Sequence, residues 1–215
     1  MWSIPRLDEV FSTRMMDVLE VYERPYDPTL PVVCLDEKSK QLLSEVRTPL
    51  PVCQGKPHRY DYEYRRNGTV NLFVVIEPKG KRRTVRVTRR RTKKDYASFV
   101  KFLVTHGYQK AKKIILVEDN LNTHNRETLI EVLRVKEGKR IARKIEWHYT
   151  PTHASWLNQA EIEISALSTQ CLKQRIPAFQ DMQKQTAAWV RDRNSKRVGI
   201  NWQFTREEAT RKFKL

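Results

Sequence analysis

Three acids in this 215-residue chain sit where carboxylates from distant segments can converge. Asp36 follows the apolar run Val32-Val33-Cys34-Leu35, and Asp119 follows Ile114-Ile115-Leu116-Val117-Glu118. Short continuous runs of this type read as strands buried on both faces, and the first acid after them marks where the chain leaves the core. If the two strands are parallel neighbours, their acids meet at one sheet edge, where open α/β sheets build their sites. Glu161 belongs to a helical segment starting near Asn158, in which Ala160, Ile164, Leu167 and Cys171 trace a buried stripe. It lies about 100° around the helix from Ala160, beside the stripe, so it can be aimed at the strand ends. Three converging carboxylates are hard oxygen donors of the kind that hold magnesium or manganese. Taken singly, each acid has a bland reading: a turn cap for Asp36, a helix cap for Asp119, and a first-turn acid favoured by the helix dipole for Glu161.

The elements that must position these acids follow from periodicity. Val10, Phe11, Met15, Val18, Leu19 and Tyr22 recur at spacings of three and four, predicting an amphipathic helix over residues 5–23, with a proline-punctuated linker from Pro25 to Pro31. Strands are predicted at 70–76 and 84–88, with Asn67-Gly68 and Lys79-Gly80 as turns. Tyr96, Phe99, Val100 and Leu103 predict a helix ending near His106-Gly107; further helices are expected at about 125–135, 158–173 and 179–192, and a strand at 145–149. This order gives an α/β fold with central strands buried beneath helices. The N-terminal helix has no evident partner within its own chain and is a candidate dimer contact.

Charge makes nucleic acid the leading partner class, with a ribosome-associated or merely basic protein as the alternative. Forty-two Lys and Arg against 25 Asp and Glu leave a net charge of +17, the sign and size that polyphosphates attract. Between Lys79 and Lys94 ten of sixteen positions are basic: Lys79, Lys81, Arg82, Arg83, Arg86, Arg89, Arg90, Arg91, Lys93 and Lys94. Read as one footprint, they bind the phosphates of DNA, whereas the bland alternative is a solvated edge. Four more residues are candidate nucleic-acid contacts: His124 on a backbone phosphate, His153 in the loop before Trp156, and Trp156 and Asn158 on an unpaired base. For each, an anchoring role within its own loop competes. Cys34, Cys53 and Cys171 lack CxxC spacing, and His148 and His153 have no helical register or cysteine partner, so zinc is not indicated. No apolar stretch approaches the roughly 20 residues of a membrane span, and no signal peptide is evident. A soluble intracellular protein is expected.

The blocks VVCLDEKSKQLL, LVEDNLNTH and HYTPTHASWLNQAEIEIS resemble the transposases of mariner-like bacterial insertion sequences, as do DYEYRRNGTVNLF, VTRRRTKKDYA and QCLKQRI between and after them. The resemblance runs from about Trp2 to Phe204. It implies an RNase H-like mixed sheet flanked by helices, with residues 1–30 as an N-terminal helix and linker and 31–215 as the catalytic domain. It implies a DDE triad of Asp36, Asp119 and Glu161, with Glu163 as the fallback third acid. The implied chemistry is DNA cleavage and strand transfer, with Mg2+ or Mn2+, as two ions roughly 3.5 to 4 Å apart, stabilising attacking and leaving oxygens. The implied assembly is a homodimer on DNA in a bacterial, nucleoid-associated setting. That family carries a longer helix-turn-helix region before the first acid than the 35 residues preceding Asp36, so a separate recognition module is an expected partner. Two alternatives stay open: a remnant that only binds DNA, and an RNase H-like nuclease that cleaves without joining.

Overall fold

The computed structural model describes residues 8–57, 59, 61–121 and 123–214. Trp2, residues 5–7 of the expected first helix, and Asn122 lie outside them. In chain order the elements are α1 (Glu9–Glu23), β1 (Val32–Glu45), β2 (Tyr64–Glu77), β3 (Arg82–Thr88), α2 (Lys93–Phe102), β4 (Ile114–Glu118), α3 (Arg126–Val132), α4 (Val135–Ala142), β5 (Ile145–Tyr149), α5 (Gln159–Gln170), α6 (Phe179–Ser195) and α7 (Arg206–Phe213). The strands form one mixed sheet in the order β3-β2-β1-β4-β5. The first three are antiparallel, whereas β1, β4 and β5 are parallel.

Side chains on the two faces of this sheet enter different cores, as the period of two demands. Val33 and Leu35 of β1, Phe73 and Val75 of β2 and Leu116 of β4 pack with α2, α3 and α4. Cys34, Ile76, Ile115 and Val117 meet α1 and the start of α5. Farther along that same face Leu72, Val74 and Val70 meet Leu167, Met182 and Trp189 of α5 and α6. Because its central strands are covered on both faces, β2 carries eight consecutive buried residues from Val70 to Glu77, save that the last is an acid at the strand end.

Several elements differ from the sequence expectation. The run ending at Leu35 does not end the strand: β1 continues through Asp36 to Glu45, because β2 pairs along its length from Cys34↔Ile76 to Glu45↔Tyr64. Asn67-Gly68 is not a turn but a bulge within β2, with Gly68 at φ +100° and the register shifting opposite Leu42. The extra residue kinks the strand and requires the positive φ that glycine tolerates. Lys79-Gly80 does lie in the β2–β3 turn, where Lys81 takes φ +57°. The single helix expected at 125–135 is two, α3 and α4, broken at Arg134 (φ +67°). Nor is α1 without a partner in its own chain: Met15, Val18, Leu19 and Val21 are fully buried against β1, β4, α5 and α7.

Candidate active site

Where parallel pairing ends, the site begins. The β1–β4 ladder runs from Val32↔Ile115 to Cys34↔Val117 and stops. Asp36 lies two residues beyond its last paired position on β1 and Asp119 two residues beyond on β4, so the two acids stand at the same level of the sheet. Asp36 is in the strand rather than at its end, and by alternation it shares the face of Cys34, on which α5 packs. The α5 helix is aimed at this level by Asn158. Its side-chain amide donates to the Leu35 carbonyl at 2.8 Å, and its oxygen accepts from the Ala160 N–H at 3.1 Å. One residue therefore caps α5 and ties its first turn, which carries Glu161, to the residue before Asp36.

The electrostatics record this convergence. The Asp36 carboxyl is pushed up to about 7, first by burial and then by the negative charges of Glu161, Asp119 and Glu37, with the Glu37 N–H (2.7 Å to Oδ1) opposing. Like charges gathered from three elements destabilise the ionised form of the most buried one. Among the described residues, no three acids, histidines or cysteines are close enough to enclose an ion as they stand. Asp119, whose side chain is 35% exposed, gives one oxygen to His124 Nδ1 at 2.6 Å.

His124 is 2% exposed, and both its nitrogens are engaged, Nε2 lying 3.1 Å from Glu37 Oε1. Its ring stacks on Tyr96 at 4.6 Å, and the Tyr96 hydroxyl donates to Glu118 at 2.9 Å. Burial alone would depress the imidazole, but the hydrogen bonds to Asp119 and Glu37, with the charge of Glu118, raise it to about 10. It is a buried cation between two carboxylates. Glu118, fully buried, is raised to about 7 by that burial.

Several expected DNA contacts are corrected by burial. His124 and Asn158 (1% exposed) are interior, hydrogen-bonded groups and cannot reach a nucleic acid. Arg83 is also interior, at 1% exposure, because its guanidinium pairs with Glu163 at 2.8 Å and donates to the Val198 carbonyl. Glu163, the fallback acid, is fully buried between Arg83 and Arg193 (2.9 Å), its carboxylate taken up by ion pairs within the fold. Arg86 is half-buried, its guanidinium over the Phe102 ring at 4.9 Å. Lys81, Arg82, Arg89, Arg90, Arg91, Lys93 and Lys94 are exposed. Register divides even these: Arg82 pairs opposite Glu77, while Thr88 pairs opposite Asn71, itself opposite Ser39. Arg89 to Lys94 thus follow one end of a strand roughly 20 Å long and Lys81 and Arg82 lie at the other, while Asp36, opposite Val74 and through it Val85, is level with the middle of β3. Arg91, 59% exposed, reaches within 3.7 Å of Glu37. His153 is exposed at φ +61°, and Trp156, 37% exposed, sets its edge against Phe204 beside the start of α5. His148 pairs with Asp17 and Glu146, an arrangement of ion pairs within the fold. Missed by sequence reasoning were Glu37, Tyr96 and Arg193. Only Glu37 left a signal, as the second acid of the Asp36-Glu37 pair.

Residues 31–183 match the family described as DDE superfamily endonuclease. Among solved structures, the chain is similar to the Mos1 mariner paired end complex with Mn (17% identity, TM-score 0.56, 92% of this chain and 61% of that chain). It is similar to the Mos1 strand transfer complex (16%, 0.56, 94% and 66%). The catalytic domain of Mos1 mariner transposase is matched over its whole length (14%, 0.55, 94% and 100%). The expected RNase H-like fold is thereby borne out. A comparison with curated proteins found no match. The chain spans about three-fifths of the Mos1 chain in the paired end complex.

Proposed function

This chain belongs to the DDE superfamily endonucleases, and on that premise we propose that it is a transposase catalytic domain whose Asp36, Asp119 and Glu161 carry metal-dependent cleavage and joining of DNA. The observation that carries the reading is geometric: Asp36 and Asp119 stand at one level of the sheet and Asn158 ties the first turn of α5, with Glu161, to Leu35, so that the charges of Glu161 and Asp119 raise the Asp36 carboxyl. Such a cluster of like charges is costly alone and is what a divalent cation offsets.

The residues fit that cation by donor chemistry, since all three offer hard carboxylate oxygens. Glu37 N–H occupies one oxygen of Asp36 and His124 one of Asp119, so each acid keeps an oxygen that would be available to hold divalent metal. Bound there, divalent metal would supply Lewis-acid stabilisation of charge developing on the phosphodiester. The chain's own part is positioning. Arg89, Arg90, Arg91, Lys93 and Lys94, the stretch whose Arg91 reaches Glu37, hold backbone phosphates and so bring the scissile bond over the acids without reading sequence. Trp156, half-exposed at the start of α5, is the candidate platform for an unpaired base. The similar Mos1 structures are paired end and strand transfer complexes, with Mn or Mg in two paired end complexes; by that likeness we infer a dimer on two DNA ends.

Incubation of supercoiled plasmid with the purified chain and Mg2+ or Mn2+ at low salt tests this. Metal-dependent nicked and joined products are expected. Nicks without joining indicate a nuclease, and salt-sensitive binding without products indicates a protein that only binds DNA.

A further inference from the structure

Two carboxylates that must share an ion need a fixed separation, yet the hydrogen-bond ladder that would fix it stops short of both. Parallel pairing ends at Cys34↔Val117, after which β1 follows β2 and the other chain leaves β4 into a loop. Beyond that point a side chain spans the gap. His124 bonds Asp119 Oδ1 at 2.6 Å with one nitrogen and Glu37 Oε1, the residue next to Asp36, at 3.1 Å with the other. The ring is itself held by the Tyr96 face at 4.6 Å, with the Tyr96 hydroxyl fixed on Glu118, and the His124 backbone N–H donates to the Leu121 carbonyl. The clamp therefore has one end on each of the two chain segments that carry the acids.

We propose that His124 is a positioning residue, anchored on Glu37, that sets the spacing of Asp119 from Asp36 and thereby the affinity of the site for a divalent cation. The inference rests on the triad reading above. His124 is too buried to touch DNA or a reacting phosphate, so its influence passes through Asp119. Groups that orient a metal-binding side chain typically change metal affinity by about 10- to 100-fold when removed. Glu37 provides the second handle: glutamine at that position keeps an acceptor for His124, whereas alanine leaves the imidazole fixed at one end only.

The test is the Mn2+ dissociation constant, read from the electron paramagnetic resonance signal of free Mn2+, for the full chain and for His124→Ala, Glu37→Ala, Glu37→Gln and Asp119→Ala. Circular dichroism at the same temperature confirms that each variant is folded. Expected are a loss of about tenfold or more for His124→Ala, a smaller loss for Glu37→Ala, and recovery of most of it in Glu37→Gln. DNA affinity of His124→Ala in the absence of metal should stay within about twofold, because no phosphate contact has been removed. Folded His124→Ala with wild-type Mn2+ affinity overturns the inference while leaving the triad standing. Equal Mn2+ affinity in wild type and Asp119→Ala overturns the triad reading itself. If His124→Ala unfolds, the contrast between Glu37→Ala and Glu37→Gln decides: equal affinities overturn the clamp.

Discussion

Asp36 and His124 both titrate away from their ordinary ranges, and their titrations give the site and the fold their pH dependence. A proton and a divalent cation compete for the Asp36 carboxylate, which is raised to about 7. Mn2+ binding is therefore expected to weaken steadily as pH falls from 8 to 6, as a titration at half-unit steps would reveal; constant affinity across that range would show that Asp36 is not a ligand. The sign for His124 is the reverse of the usual carboxylate case. Its folded value, about 10, lies above its ordinary 6.5, so its contribution to stability is complete below about 6.5 and is lost as pH rises through 10. The thermal midpoint of the metal-free chain is expected to fall between pH 7 and 10, and His124→Gln to flatten that slope. The level at which Asp36 and Asp119 stand was legible in the sequence because each follows a buried apolar run, although β1 continues past Asp36. The roles of His124, Asn158 and Arg83 were not, because burial depends on which elements pack over a residue, and a polar side chain carries no mark of it.

At the level of elements, the wall opposite the site is held by charge inside the fold. Glu163 on α5 receives Arg83 from β3 and Arg193 from α6, all three largely buried. Removing one partner of such a group strands the others, at a cost of about 3–5 kcal/mol. Glu163→Gln should accordingly lower the urea midpoint strongly, yet the folded fraction should still nick DNA at the wild-type rate; complete loss of chemistry in folded protein would revive Glu163 as the third acid. The α3–α4 pair has a different device. A Cβ at Gly138 would lie 2.5 Å from the Leu129 carbonyl oxygen and the Ile130 Cα, so the helices approach this closely only because position 138 is glycine. Gly138→Ala is expected to cost about 2 kcal/mol or more by overpacking against backbone, measurable by urea denaturation. This hairpin escaped the periodicity analysis because α4 is eight residues long with glycine at its centre, so propensity argues against it while packing requires it. The continuation of β1 past Asp36 escaped for a related reason: Lys38, Lys40 and Gln41 look like loop residues, and only pairing with β2 makes them strand.

For the whole molecule, a charge of +17 becomes a binding surface only where the fold leaves it exposed and near the acids. The basic run that looked continuous from Lys79 to Lys94 is divided by β3 into two ends, with Arg83 withdrawn into the interior. DNA affinity should thus fall steeply with salt, and alanine at Arg90 or Lys94 should reduce the slope of log K against log[salt] by about one each. Lys81→Ala at the far end should leave it unchanged, and an equal loss there would mean that DNA covers both ends of the sheet. The RNase H-like layout was legible because the doubly buried strands and the helices between them are long-range features of pattern, whereas the division of the basic run required the register. The claim on which all of this depends is that Asp36, Asp119 and Glu161 work as one set. Its most direct test is metal-dependent nicking of supercoiled plasmid by Asp36→Asn, Asp119→Asn and Glu161→Gln, each shown to be folded and to bind DNA. Each substitution alone is predicted to reduce the rate by about a hundredfold or more; a folded, DNA-binding variant at any of the three positions that nicks at the wild-type rate would contradict the account.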